Sequence, residues 1–242
     1  MELLLQPKIY NITLKYLHND AYKEMILGDM TNNYYWSEDW SEEFYIELAR
    51  AGFISTTYDT NEGLVLLPEL QFEYAILDFK NLHISKKVKK LLTRDDYTLC
   101  FNTRFNEVID KFSLFHKYNW LKENYSSLMK KLFKNSDARD DFKILSVELI
   151  SKETGELIAG EIGYKIGKTY TSLSGFSSKE KKYTNYGTLQ LILLAKYLQK
   201  EGFSFWNLGH PHMQYKQKLG SITHKREDFL ARWKKEIKHP TL

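Results

Sequence analysis

The segment between residues 143 and 200 constrains the fold of this 242-residue chain more than any other feature. Three apolar stretches, ILSVELI, LIAGEIGYKI and TYTSLSGF, are separated only by the turn sequences KETGE and GK. Strands that are joined by such short turns pair with their neighbours in antiparallel order. The segment therefore predicts a three-stranded antiparallel meander, which is followed by a long and largely buried helix over residues 184–200.

Helix and strand signals divide the rest of the chain into short elements. Capping residues and apolar spacing predict helices over residues 42–51, 86–92, 103–112, 120–133 and 225–237. Strand-like stretches occur at residues 63–70, 72–79, 97–101 and 203–208. The mixture predicts an α/β protein, which we divide into a small acidic N-terminal lobe over residues 1–92 and a larger domain over residues 93–242.

Charge is distributed unevenly along the chain. Residues 1–80 hold 5 Lys and Arg against 14 Asp and Glu, whereas the remaining residues hold 30 against 17. The net charge is −9 for residues 1–80 and +13 for residues 81–242, which favours a polyanionic partner for the second of these segments. A solvated lysine-rich surface would have the same composition, so charge alone leaves both interpretations open.

Composition and the N-terminal residues predict the location of the protein. A hydrophobic content of 43%, with 12 Gly and 4 Pro, is typical of soluble globular proteins. The stretch MELLLQPKIY has no basic region before its leucines, which disfavours a signal peptide, and the single Cys100 cannot form an intramolecular disulfide. We therefore expect a cytoplasmic protein that does not associate with membranes.

Several motifs occur together in an order that is similar to one known family. They are LHIS with the lysines after it at residues 82–90, FNEVID at 105–110, Trp120, GEIGYKIGKTYTSLSGFS at 160–177 and KLGSITHKREDFL at 218–230. From about residue 40 to residue 229 the chain resembles the leucyl/phenylalanyl-tRNA–protein transferase family. The resemblance implies a GNAT-like acyltransferase core, consisting of a meander, a long helix and a further strand, with a small N-terminal α+β lobe.

The resemblance also implies a reaction and its partners. The family moves an amino acid from an aminoacyl-tRNA to the N-terminal amine of an acceptor protein or peptide, a modification linked to protein degradation, and needs no cofactor. Apolar residues would line a pocket for a hydrophobic amino acid: Leu173, Phe176, Leu189, Ile192 and Leu193. Two alternatives stay open, namely a GNAT-like acyltransferase that uses acyl-coenzyme A, and a catalytically silent descendant that binds tRNA or protein.

Binding residues follow from the positions that match the family and from the local charge. Donor binding is expected at Trp120, Ser174, Phe176, Tyr186, Gly187 and Gly209. The Trp120 ring would stack on the terminal adenosine of the donor, unless it is an ordinary core residue. Phosphates of the tRNA are expected to contact two groups of lysines, unless these are plain solvated faces. The groups are Lys86, Lys87, Lys89 and Lys90, and Lys179, Lys181 and Lys182.

Catalysis is expected just past the last predicted core strand, at Asn207 and His210. An asparagine side chain does not ionise near neutrality, so Asn207 would orient a carbonyl or an amine, or cap the turn toward His210. An imidazole titrates near neutral pH, so His210 would act as a general base or make only a structural hydrogen bond. His210 and His212 alternate along the chain, but no third ligand is close in sequence, and we expect no metal.

Three positions depart from the family pattern. Residues 52–55 read GFIS, so Ser55 stands where the family has a donor-stacking tryptophan. Leu173 stands where the family has a glutamate, and residues 207–209 read NLG in place of aspartate, cysteine and glutamine. These changes bear on the donor, the acceptor and the activity itself.

Overall fold

The computed structural model of the protein describes residues 9–115 and 120–240. Its strands are β1 (Tyr10–Asn11), β2 (Tyr35–Trp36), β3 (Ile54–Thr60), β4 (Gly63–Glu69), β5 (Glu73–Leu77), β6 (Tyr97–Phe101), β7 (Lys143–Ser151), β8 (Leu157–Ile166), β9 (Thr169–Ser177), β10 (Phe205–Asn207) and β11 (Ile222–Lys225). Its α-helices are α1 (Leu14–Leu17), α2 (Asp20–Gly28), α3 (Glu42–Arg50), α4 (Lys86–Leu91), α5 (Phe105–Phe115), α6 (Glu123–Lys134), α7 (Tyr186–Lys200), α8 (Gln214–Leu219) and α9 (Arg226–Glu236).

A mixed seven-stranded sheet organises the molecule. Its strands follow the order β11, β5, β10, β9, β8, β7 and β6. The predicted meander is confirmed, because β7, β8 and β9 pair in antiparallel order. Outside this sheet, β3 and β4 form an antiparallel hairpin, and β1 and β2 form a short parallel pair.

The sheet has a hydrophobic core on each face. On the first, which we call the α5 face, side chains of α3, α5, α6 and α9 form one core cluster, which includes Phe112 and Leu128. On the second, the α7 face, α4 and α7 form another cluster, which includes Val88 and Leu189. Burial of apolar side chains on both faces fixes the sheet between two helical layers.

The pairing of β9 with β10 stops after the first third of β9. The two strands run parallel, and the last paired residues are Thr171 and Asn207. Beyond this point the chain follows β5 instead, because the Leu208 amide donates to the Ala75 carbonyl at 2.9 Å and the Ala75 amide donates to the Gly209 carbonyl at 2.7 Å. The rest of β9, residues 172–177, pairs with β8 on its other side. Among the described strands none pairs with it on the near side, which leaves a gap in the sheet next to Leu208.

Local capping explains where several elements begin. The Ser41 hydroxyl accepts the Phe44 amide and starts α3, and the Ser85 hydroxyl accepts the Val88 amide and starts α4, as the sequence predicts. Helix α7 begins later than predicted, since Asn185 before it has a left-handed backbone with φ of 72°. Strand β10 is also shorter than predicted at both ends, since it begins at Phe205, and Leu208 after it pairs only with β5.

Some elements were not predicted. They are β1, α1, α2, β2, β3, α8 and β11. Strand β5 lies between β11 and β10 inside the large sheet, so the sheet draws on residues from both sides of the boundary that we placed at residue 92. The division into two lobes stays a prediction. Within the described ranges, no helix combines the length and the apolar character needed to cross a bilayer.

Candidate active site

A cavity of about 540 Å³ opens at the gap between β9 and β10. Its wall is formed by Trp120, Glu161 of β8, residues 172–177 of β9, the first two turns of α7, Leu208 after β10, and Met213, Tyr215 and Lys216. Four of the six residues predicted to bind the donor lie in this wall, namely Trp120, Ser174, Phe176 and Gly187. The structure thus brings these four residues together from three separate parts of the chain.

The cavity draws residues from both faces of the sheet. Trp120 and Phe176 pack with the cluster on the α5 face. Gly187 and Gln190 belong to α7 on the opposite face. The cavity beside β9 is therefore lined by residues from both faces of the sheet.

Glu161 of β8 is a buried carboxyl in the cavity wall, with 2% of the residue exposed. Its Oε1 accepts a hydrogen bond from the Tyr170 hydroxyl at 2.8 Å and another from the Ser172 hydroxyl at 2.7 Å. Burial raises the pKa of Glu161 to about 7, although the two hydroxyl donors oppose the shift. Gly163 permits this arrangement, because a Cβ atom there would lie 2.3 Å from the Tyr170 hydroxyl oxygen.

Two further polar side chains reach the cavity wall. Gln190 of α7 is 2% exposed, and its Nε2 has no hydrogen-bond partner. Lys216 is 5% exposed, burial lowers its pKa to about 8, and its Nζ donates to the His210 carbonyl at 2.6 Å. The inner part of the cavity is therefore more polar than the predicted apolar pocket.

Asn207 is buried and acts on the backbone that follows it. Its Oδ1 accepts the Gly209 amide at 2.9 Å, and its Nδ2 donates to the Thr171 hydroxyl at 3.4 Å. Gly209 has φ of 72°, a left-handed conformation that favours glycine. Neither residue is part of the cavity wall. The geometry matches the turn-capping alternative for Asn207, and its catalytic role stays a prediction.

His210 is paired with a carboxylate outside the cavity wall. Its Nε2 lies 2.8 Å from Oε2 of Glu69, whose side chain is 7% exposed. The rings of His210 and His212 stack with centroids 5.5 Å apart. The described residues contain no group of three His, Cys, Asp or Glu side chains that could hold a metal ion. The base role of His210 stays a prediction.

Tyr186 and Trp120 have further contacts within the fold. The Tyr186 hydroxyl donates to Asp96 at 2.6 Å and accepts from Arg94 at 3.3 Å, and its ring is buried in the α7-face cluster. The half-buried Trp120 ring meets Tyr125 edge-on at 4.9 Å. The Trp120 ring therefore packs against Tyr125 and also lines the cavity. Tyr186 does not line the cavity.

The predicted tRNA-binding lysines lie on exposed surfaces beside α7. Lys86, Lys87, Lys89 and Lys90 project from α4, and none forms an ion pair with a described carboxylate. Lys181 and Lys182 are part of a short 3₁₀ turn before α7, where Lys182 lies 3.3 Å from Glu180. The hydrophobic cluster that contains Val88 of α4 also contains Tyr183. The two lysine groups therefore flank one helical layer.

Sequence reasoning missed Glu161, Gln190 and Lys216. The signal for Glu161 was present, since an acidic residue in a strand of otherwise apolar residues is rarely buried without a specific role. Gln190 and Lys216 gave no such signal, because polar residues are ordinary in helices. A second cavity of about 400 Å³ lies beside the β3–β4 hairpin and contains none of the predicted site residues.

Glu161 should make stability depend on pH. The unfolded carboxyl ionises near pH 4.5, whereas the folded one keeps its proton until about pH 7. The free energy of unfolding should therefore fall as pH rises from 4.5 to 7, by at most about 3 kcal/mol. The Glu161→Gln variant has no ionisable group at this position. Its free energy of unfolding, measured in urea, should therefore rise relative to that of the wild type by that amount between pH 4.5 and pH 7.5. An equal difference at both pH values would contradict this assignment. Tyr170, Tyr215 and Lys216 face the same carboxyl and are shared by both proteins.

The pair of His210 and Glu69 should contribute to stability. Oε1 of Glu69 accepts a hydrogen bond from Asn33 at 3.0 Å, and Oε2 contacts the His210 imidazole. His210→Ala removes the imidazole and leaves Oε2 of this buried side chain without that contact. We expect the free energy of unfolding to fall by about 1–3 kcal/mol. The exposed His212 provides the control, because His212→Ala should change it by less than about 0.5 kcal/mol. Equal melting curves for the two variants would show that the pair is unimportant.

Comparison with known proteins places the chain in a family. The family model described as leucyl/phenylalanyl-tRNA protein transferase matches residues 76–234. A leucyl/phenylalanyl-tRNA–protein transferase from Maridesulfovibrio salexigens is 28% identical over 171 residues, which cover 69% of this chain and 66% of the relative. A protein of the same name from Pseudomonas putida is 29% identical over 125 residues, which cover 50% of each. This chain thus spans between half and about two thirds of the length of these relatives.

The fold comparison agrees with the family match. The crystal structure of FemX superimposes with a TM-score of 0.50 at 12% identity, covering 93% of this chain and 80% of that one. This similarity confirms the predicted GNAT-like fold class, and the family match confirms the resemblance read from the motifs. Since the family model covers well over half of the sequence, the chain belongs to the leucyl/phenylalanyl-tRNA–protein transferase family.

Proposed function

We propose that this chain transfers an amino acid from an aminoacyl-tRNA to the amino terminus of an acceptor protein or peptide. The observation that carries the proposal is the cavity beside β9, which is lined by residues from both faces of the sheet. Such a cavity can hold a donor ester and an acceptor amine in contact. Membership of the family supports this reaction, and an intracellular, cytoplasmic location remains part of the proposal.

The reaction makes modest chemical demands on the protein. The acceptor nitrogen attacks the carbonyl carbon of the ester, the new C–N bond forms, and the bond from that carbon to the ribose oxygen breaks. The amine loses a proton and the ribose oxygen gains one, so the step balances without a cofactor. Holding the two reactants in contact can supply several kcal/mol of the rate enhancement. A shaped cavity is therefore more important here than a strong base.

The lysines of α4 provide the surface for the tRNA. Their ammonium groups are exposed and are not neutralised by described carboxylates. Such groups bind phosphates without reading the sequence of the RNA. Lys179, Lys181 and Lys182 extend the positive surface toward the start of α7, and so toward the cavity.

An acyl-coenzyme A donor is the alternative that the fold raises. Enzymes that use it often bind the pyrophosphate through glycine at the start of the helix that corresponds to α7. In this chain a Cβ atom on Gly187 would lie 2.7 Å from Cβ of Ser177, so the glycine is needed for α7 to pack against β9. Packing accounts for Gly187 without a phosphate ligand, and we therefore favour the tRNA donor.

Binding to charged tRNA should depend steeply on salt. We expect affinity to fall by more than about tenfold between 50 mM and 200 mM salt, because each phosphate contact releases counterions. Replacing Lys86, Lys87, Lys89 and Lys90 by alanine should weaken all tRNAs alike and flatten the salt dependence. Filter binding with total charged tRNA, and separately with acetyl-coenzyme A, measures this. Binding of acetyl-coenzyme A alone would instead favour the alternative donor.

Trp120→Ala should cost donor affinity. Loss of one stacking surface on the terminal adenosine should weaken binding by about 1–3 kcal/mol. The half-buried ring also packs on Tyr125, so a thermal melt and a labelled amino acid transfer assay are run on the same preparation. A large loss of melting temperature with unchanged affinity in the folded fraction would assign Trp120 to the core instead.

A further inference from the structure

Lys216 is a buried lysine in the wall of the cavity beside β9. It lies three residues before Leu219 on α8, and these two are the buried residues of that helix. Residues with this spacing lie on one face of a helix. Leu219 packs in the cluster on the α7 face. The packing of α8 therefore keeps Lys216 inside the fold, where only 5% of the residue is exposed.

The ammonium group of Lys216 has no counter-ion among the described residues. Its Nζ donates a hydrogen bond to the His210 carbonyl at 2.6 Å and lies 6.0 Å from the centre of the Tyr215 ring. Glu161 lines the same cavity but forms no ion pair with it. Burial lowers the pKa of Lys216 to about 8, and no nearby carboxylate opposes the shift. An ammonium has three N–H donors, so donors remain for a ligand in the cavity.

Space for such a ligand is available beside the ammonium group. Gly209 has no side chain, and a Cβ atom there would lie 3.9 Å from Nζ of Lys216. Among the described residues that line the cavity, Lys216 is the single basic residue. A buried cation without a counter-ion costs free energy, which a negatively charged ligand oxygen would offset. The wall therefore favours a reactant on which negative charge develops.

The transfer reaction develops such a charge. When the acceptor nitrogen attacks the ester, the carbonyl oxygen takes the electron pair of its double bond and becomes an oxyanion. The double bond forms again when the bond from the carbonyl carbon to the ribose oxygen breaks. Because the starting ester is neutral, a cation beside this oxygen stabilises the transition state more than the bound donor, and so raises the rate.

We propose that Lys216 is a catalytic residue, whose ammonium group donates a hydrogen bond to the carbonyl oxygen of the aminoacyl ester and stabilises the oxyanion. This inference rests on the function proposed above and deepens it. The ammonium group keeps its proton throughout, so the transfer of a proton from the amine to the ribose oxygen is unchanged. The role is separate from those predicted for Asn207 and His210, neither of which lines the cavity.

The first test separates donor binding from the chemical step. The substrates are total tRNA charged with labelled amino acids and a mixture of synthetic peptides with free amino termini. Lys216→Met keeps an apolar side chain and removes the charge, so the single-turnover rate of transfer at pH 7 should fall roughly a hundredfold. The affinity for charged tRNA in filter binding should change by less than about threefold. The control is Lys218→Met, which removes an exposed lysine of the same helix and should leave the transfer rate unchanged.

The second test uses pH, and it stays decisive if the methionine variant folds poorly. Lys216→Arg preserves the charge, and a guanidinium stays charged above pH 8, whereas Lys216 loses its proton near that pH. The ratio of the wild-type rate to the Lys216→Arg rate should therefore fall severalfold between about pH 7 and about pH 9. The acceptor amine, Glu161, Tyr215 and the pair of His210 and Glu69 are the same in both proteins, so their ionisation cancels in the ratio.

Two results would overturn this role. The first is an unchanged single-turnover rate in Lys216→Met, and weaker binding of charged and uncharged tRNA alike would then assign Lys216 to a phosphate. The second is a ratio that stays constant or rises with pH, because the positive charge would then not be the active form. If the wild type transferred no amino acid from any charged tRNA, the proposed function itself would fail, and the role of Lys216 with it.

Discussion

The departure of the chain from β9 after Asn207 is the feature on which the site depends. Two hydrogen bonds between Ala75 and residues 208–209 hold the chain against β5, and the Asn207 side chain accepts the Gly209 amide in the same turn. None of the described strands pairs with residues 172–177 of β9 on this side. A continuous sheet would separate the two helical layers completely. Here the gap lets Trp120 from one layer and Gln190 from the other line a single cavity.

A hydrogen-bond network next to this gap holds the buried carboxyl of Glu161. The hydroxyl groups of Tyr170 and Ser172 hold one oxygen of Glu161, and the Trp206 indole donates to the Ser172 hydroxyl at 2.8 Å. This network fixes the direction of the carboxyl before any ligand is present. An acceptor held in place in a medium of low polarity discriminates strongly between ligands that can pair with it and ligands that cannot.

Sequence reasoning succeeded where the information is local. The turn sequences KETGE and GK define the meander, and Ser41 and Ser85 begin their helices by accepting amides within one turn. Ordered motifs were also sufficient to identify the family, because each match adds to the others along the chain. It failed at α8 and β11, which are short and are stabilised by contacts with β5, more than 130 residues earlier.

At the candidate site, too, the sequence determines some features and only the tertiary structure decides the others. The sequence by itself determined the family and the meander, and of the six residues predicted to bind the donor, Trp120, Ser174, Phe176 and Gly187 line one cavity. Only the tertiary structure decided that Asn207 caps a turn, that His210 pairs with Glu69, and that Glu161 lies in the cavity wall. The reason is physical. Hydrogen-bond partners and burial depend on groups brought together across strands, and the spacing of residues along the chain does not contain that information.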